Sequence, residues 1–191
     1  MPDSERQKLY QLPNLLTLAR IILVPVLLGV FLLGGALGDI LSVVVFVLAG
    51  ITDYFDGYLA RRLKMESQVG NAFDPIADKL LIITTLALLI HDGTLTGLHL
   101  AAAMFVIWRE IFVSGLREYI ARIDITIPII RLAKYKTAIQ MVALGCLLAA
   151  PTGAGYIPNL VMLGLGLFWI SVALTLITGF EYLRRANDYI E

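Results

Sequence analysis

Six long apolar runs leave this chain few ways to fold. They fall near residues 15–33, 40–59, 74–90, 98–120, 132–150 and 157–183. Runs of this length match a bilayer's hydrocarbon core, about 30 Å thick and crossed at about 1.5 Å per helical residue. Lipid offers no partner to a backbone N–H or C=O, so each run must satisfy its own as a helix. The expected fold is all-α: a polytopic membrane protein with six transmembrane helices, forming a single domain over residues 1–191. Composition agrees, because 59% of the 191 residues are hydrophobic and only 16% charged, too little polar surface for a soluble domain. The single cysteine, Cys146, lies in an apolar run and reads as a packing residue; it excludes an intrachain disulfide framework and any CxxC metal site.

Gly34-Gly35, Asp92-Gly93 and Pro151-Thr152-Gly153 mark turns on one side of the expected bundle. The loops at 34–39, 91–97 and 151–156 contain no Lys or Arg. The opposite ends carry Arg6, Lys8, Arg20, Arg61, Arg62, Lys64, Arg117, Arg122, Arg131, Lys134, Lys136, Arg184 and Arg185. The positive-inside rule therefore places both termini and the loops near 61–72 and 121–131 in the cytosol. Residues 3–11 mix polar and apolar positions, as in a short helix lying on the membrane surface. The polar start and the length of the first run argue against a cleaved signal peptide. His91 and His99 flank a non-cytosolic loop and read as interfacial, and the glycines near 29–35 and 164–166 are expected to permit close helix packing.

Four aspartates interrupt this apolar pattern: Asp53 and Asp56 toward the end of run two, Asp74 and Asp78 at the start of run three. At a lipid-exposed helix centre each would cost about 2.5–3.5 kcal/mol, or roughly 10–14 kcal/mol together. A cationic partner is required. On helices, spacings of three and four put each pair on one face, one turn apart. A short cytosolic connection makes the two helices antiparallel neighbours, so the pairs can converge. Hard divalent cations held by oxygen ligands resolve the repulsion, and Mg²⁺ or Mn²⁺ keeps positions open for substrate phosphates. Two ions match four carboxylates in charge, which suits a two-metal clamp on a phosphoryl group. Gly57 and Ala60 fall on the same side as the aspartates and leave room for a ligand. Arg61 can pair with phosphate through its fork, and Ser67 can offer a hydroxyl.

The pattern Asp53-x2-Asp56-Gly57-x2-Ala60-Arg61-x8-Gly70-x3-Asp74-x3-Asp78 resembles, position for position, the signature of the CDP-alcohol phosphatidyltransferases. The resemblance implies a six-helix, homodimeric membrane enzyme that moves a phosphatidyl group from a CDP-linked donor to an alcohol. It implies that Asp53, Asp56, Asp74 and Asp78 hold the metals and that Asp78 is also the base for the acceptor hydroxyl. Gly57, Ala60, Arg61 and Ser67 would surround the donor's cytidine diphosphate. Asn14 and Thr17, in Asn14-x2-Thr17-x2-Arg20, resemble a further donor-contacting element.

Further segments resemble the bacterial subfamily whose donor is CDP-diacylglycerol and whose acceptor is glycerol 3-phosphate. These are Pro13-Asn14-Leu15-Leu16-Thr17, Arg109-Glu110, Gly115-Leu116-Arg117-Glu118 and Lys134-x-Lys136-Thr137; Ala133 stands where that subfamily commonly has glycine. The implied setting is the bacterial inner membrane, among membrane lipids, with no nucleic-acid partner. Intramembrane cations need partners, and an incoming phosphate suits Arg109, Arg117, Lys134 and Lys136. The plainer reading has such residues snorkelling or pairing with Glu110 and Glu118.

Three alternatives remain at this level. The acceptor is another alcohol, such as serine or an inositol phosphate. An intramembrane prenyltransferase also holds a diphosphate on aspartates with Mg²⁺, but arranges them differently. A cation-coupled transporter would use carboxylates to bind its ion, although no inverted repeat is apparent.

Overall fold

The computed structural model describes residues 3–63, 68–121, 131–153 and 157–190, with side chains outside 1–16, 54–75, 121–131, 154–156 and 187–191. Among them lie six α-helices: α1 (Asp3–Leu33), α2 (Gly35–Leu63), α3 (Gln68–His91), α4 (Gly97–Ala121), α5 (Arg131–Gly153) and α6 (Leu160–Ile190). No strand occurs among the described residues. Four spans are long and apolar enough to cross a bilayer: Gly35–Asp53, Gly97–Ile120, Leu132–Gly153 and Leu160–Ala186. In α1 the apolar stretch Thr17–Leu33 is shorter.

Several boundaries differ from expectation. The segment at 3–11 is not a separate surface helix but the first part of α1, a 31-residue helix about 46 Å long. The loop expected at 34–39 shrinks to Gly34, because Gly34 (φ 66°) and Gly35 (φ 65°) both adopt the left-handed conformation open to glycine. Helix α2 therefore starts five residues before the apolar run does. Helix α5 likewise continues through Pro151 to Gly153, rather than turning at that proline. The turn at Asp92-Gly93 forms as expected: the Thr94 amide donates to Asp92 Oδ1 at 2.8 Å, and Gly93 has φ 81°.

Residues 1–88 and 89–191 form two compact units. In the first, α1 packs on α2. Val24 and Leu27 of α1 are buried, as are Ser42, Val45, Phe46 and Ala49 of α2, a stripe at spacings of three and four. At Gly38 an added Cβ would lie 2.9 Å from the Val30 carbonyl oxygen, so only glycine permits this approach. In the second unit α5 and α4 both pack on α6. Ala143, Leu144, Leu147 and Leu148 of α5 and Phe168 and Val172 of α6 are buried. The expected close packing at glycine holds for Gly164, where a Cβ would meet Leu147 Cδ2 at 2.8 Å and Cys146 Cβ at 3.3 Å. Gly29 and Gly166 have open space instead. The buried hydroxyls of Ser171, Thr175 and Thr178 donate to carbonyls of their own helix at 2.7 Å, so the stripe carries no unmet donor there. At its other end this unit joins His99 to α6, with Trp169 Nε1 donating to His99 Nδ1 at 3.0 Å.

Candidate active site

Two groups of charged side chains sit at helix junctions, one in each unit. In the first, Arg20 projects from α1 and is almost wholly buried, with 1% of its side chain exposed. One guanidinium nitrogen, NH1, lies 2.8 Å from Asp78 Oδ1 on α3 and 3.0 Å from Asp53 Oδ1 on α2. The carboxylates themselves are about half exposed, at 47% for Asp53 and 48% for Asp78. A buried cation thus gathers two carboxylates from two other helices and leaves them accessible. Charge-assisted hydrogen bonds of this kind are about twice as strong as neutral ones.

The expected convergence of α2 and α3 is met at Asp53 and Asp78. Asp56 and Asp74 occupy helical positions three after and four before these residues, so the spacing argument applies to their backbone. Their side chains lie outside the described residues, as do those of Asn14, Gly57, Ala60, Arg61 and Ser67. Thr17 is buried on α1, one turn before Arg20. Among the described residues no cluster of three or more metal-ligating side chains occurs. The donors that are described fit a hard divalent ion: carboxylate oxygens only, half exposed, with the countercharge on the buried side.

Arg20 is the residue that sequence reasoning left without a role. Its signal was present, since it stands six residues after Asn14 and three after Thr17, on one face of a helix, as an arginine inside an apolar run.

The second group lies among α4, α5 and α6. Glu110 Oε1 accepts from Arg109 NH1 at 3.2 Å and also from Lys136 Nζ. Arg109 NH2 donates to Thr178 Oγ1 at 2.9 Å, and the Thr178 hydroxyl in turn donates a hydrogen bond to the Leu174 carbonyl. All four side chains are buried or nearly so. Gly179 makes room for the arginine: an added Cβ would stand 3.2 Å from Arg109 Nε. The pairing with Glu110 that sequence offered as the plainer reading is therefore present for Arg109, and Lys136 shares it.

Arg117 and Lys134 do not join this group. Arg117 is exposed and lies over the Tyr182 ring, 5.7 Å from its centroid, a cation–π contact in place of a pair with Glu118. Lys134, two residues from Lys136 on α5, is exposed.

Comparison with known proteins bears on this arrangement. The sequence model of the CDP-alcohol phosphatidyltransferase family matches residues 10–177, which include every charged member of both groups. A CDP-diacylglycerol–glycerol-3-phosphate 3-phosphatidyltransferase of Rickettsia felis is 41% identical over 178 residues, covering 93% of this chain and 96% of its own. Proteins of the same name from Pseudomonas fluorescens (40% identity, 94% and 92% coverage) and Salmonella choleraesuis (37%, 93% and 96%) are similar over the same extent. With the family pattern matched through nearly its whole length, this chain belongs to the CDP-alcohol phosphatidyltransferases, enzymes that in general use a divalent metal ion.

Proposed function

We propose that the chain transfers the phosphatidyl group of CDP-diacylglycerol to glycerol 3-phosphate, giving phosphatidylglycerophosphate and CMP. The observation that carries this reading is the meeting of Asp53 and Asp78 from separate helices on buried Arg20. The names of the similar proteins supply the substrates.

In this reading Asp53, Asp56, Asp74 and Asp78 hold two ions, Mg²⁺ or Mn²⁺. When bound, such ions polarise the donor's diphosphate and offset the acidic charge. Asp78 takes the proton of the acceptor's primary hydroxyl as that oxygen attacks the phosphorus bearing diacylglycerol. The bond from that phosphorus to the CMP oxygen breaks, and Arg61 meets the charge on departing CMP. Asn14, Thr17, Gly57, Ala60 and Ser67 shape the donor site, the two small residues leaving space for the nucleotide. Arg109, Arg117, Lys134 and Lys136 meet the acceptor's phosphate. Alignment and charge neutralisation then carry the rate, since little covalent chemistry falls to the protein.

We place all six helices across a bacterial inner membrane in a homodimer of single-domain subunits, with both termini and the site facing the cytosol. The support for the orientation is the absence of Lys and Arg from residues 34–39, 91–97 and 151–156.

The test is CMP release from CDP-diacylglycerol by purified protein, with and without Mg²⁺, across glycerol 3-phosphate, serine and inositol phosphate. Metal-dependent release with glycerol 3-phosphate alone is expected. Release with serine and none with glycerol 3-phosphate would overturn the acceptor, and ion flux in proteoliposomes without any CMP would overturn the enzyme.

A further inference from the structure

The group on α4, α5 and α6 contains one charged residue to which the proposed chemistry gives no work. Glu110 is 12% exposed, yet two cations from different helices, Arg109 of α4 and Lys136 of α5, converge on one of its two carboxylate oxygens, Oε1. Like charges brought this close in a buried setting repel, and a carboxylate between them offsets that repulsion. The guanidinium is fixed from its other side by Thr178 of α6, over Gly179. Three helices therefore aim two hydrogen-bond donors at one point, and Glu110 is the group they share.

From this geometry we infer that Glu110 is a positioning residue for the acceptor's phosphate, acting through Arg109 and Lys136. The inference rests on the reading of those two cations as the acceptor's phosphate ligands. A phosphate takes two donors best when they are already held at the spacing of its oxygens. Glu110 gathers the two donors in the free enzyme, before any phosphate arrives. Its own negative charge opposes the phosphate, so its position favours binding while its charge does not.

Position and charge separate in two substitutions. E110D keeps the charge and withdraws the oxygen by one methylene. E110Q keeps an oxygen where both donors meet and removes the charge. Initial rates of CMP release are measured for both variants and the parent in detergent, with glycerol 3-phosphate and CDP-diacylglycerol varied in turn, and thermal midpoints are recorded.

E110D is expected to raise the KM for glycerol 3-phosphate about ten- to a hundredfold, the worth of one or two charge-assisted hydrogen bonds, leaving the KM for CDP-diacylglycerol unchanged. E110Q, which loses the countercharge but keeps an oxygen at the meeting point, is expected to raise the acceptor KM less than E110D does. An unchanged acceptor KM in E110D overturns the inference and, beside a raised KM in E110Q, marks a purely electrostatic role; a rise in E110Q matching that in E110D overturns it as well and marks a structural one. Should E110Q fail to fold, E110D alone decides. If the parent makes no product from glycerol 3-phosphate, the acceptor reading itself falls and the inference falls with it; a parent that does, beside an unaffected E110D, removes only Glu110.

Discussion

The two charged groups are near mirror images. On α1–α3 one arginine serves two carboxylates, and the acids are half exposed. On α4–α6 one carboxylate serves two cations, and every member is at least mostly buried. Burial decides what each can do. Half-exposed acids behind which a cation is buried keep an accessible side, where a metal ion and a reacting hydroxyl can be met. Charges closed off among three helices are expensive to disturb, because a buried ion whose partner is removed loses about 3–5 kcal/mol. The first arrangement suits chemistry and the second suits holding.

If that contrast is correct, the largest effect on turnover belongs to Asp78. D78N keeps the size of the side chain and still accepts from Arg20 through its amide oxygen, so the fold should survive. Without a proton acceptor, CMP release should fall by about 10²–10⁴-fold, the usual contribution of a general base. Substantial release by a folded D78N protein would remove the base from this side of the comparison.

Arg20 comes next. R20Q removes the cation that draws Asp53 and Asp78 together, at the cost of one or two charge-assisted bonds. CMP release should drop about ten- to a hundredfold, with helix content by circular dichroism unchanged. A protein as active as the parent would mean that the two carboxylates need no gathering, and the contrast between the groups would lose its acidic half.

These residues also mark how far the sequence could be read. The helices followed from the apolar runs, and the two-face argument for Asp53 and Asp78 followed from spacing alone. What spacing does not reveal is the third partner. Arg20 is 33 residues from Asp53 in the chain and 58 from Asp78, and nothing local in α1 names either. The same holds for Thr178, whose contact with Arg109 spans 69 residues. Turn lengths were misjudged for a different reason. A hydropathy pattern reports where apolar residues stop, whereas Gly34 and Gly35 decide by backbone conformation that the reversal takes one residue. Lys134 and Lys136 looked equivalent as a motif, and only the rotation of about 200° between residues two apart on a helix separates the exposed one from the buried one.

That separation gives the next test. K136A removes one charge-assisted hydrogen bond inside the protein while Arg109 still pairs with Glu110, so it should lower the thermal midpoint, by about 1.5–3 kcal/mol in stability, as well as weaken acceptor binding. A midpoint equal to the parent's would show that the basic group is no more structural than the acidic one, and the comparison would fail on its second side.

The smallest effect should come from K134A, which makes it the sharpest control. Lys134 is exposed on α5 and takes no part in the network around Glu110. Its removal should change stability by no more than about 0.5 kcal/mol, as for ordinary surface substitutions. In the proposed reading it is one of several cations that meet the acceptor's phosphate and would contribute a screened attraction, so the KM for glycerol 3-phosphate should rise only a fewfold and the rise should shrink as salt is added. Lys136 is shielded from solvent, and salt should change the K136A defect far less. Two lysines two positions apart in a motif would thus differ in thermal midpoint and in salt response, because in the proposed reading one meets the substrate from water and the other from within the protein. Equal salt dependence of the two defects would show that burial does not divide their work.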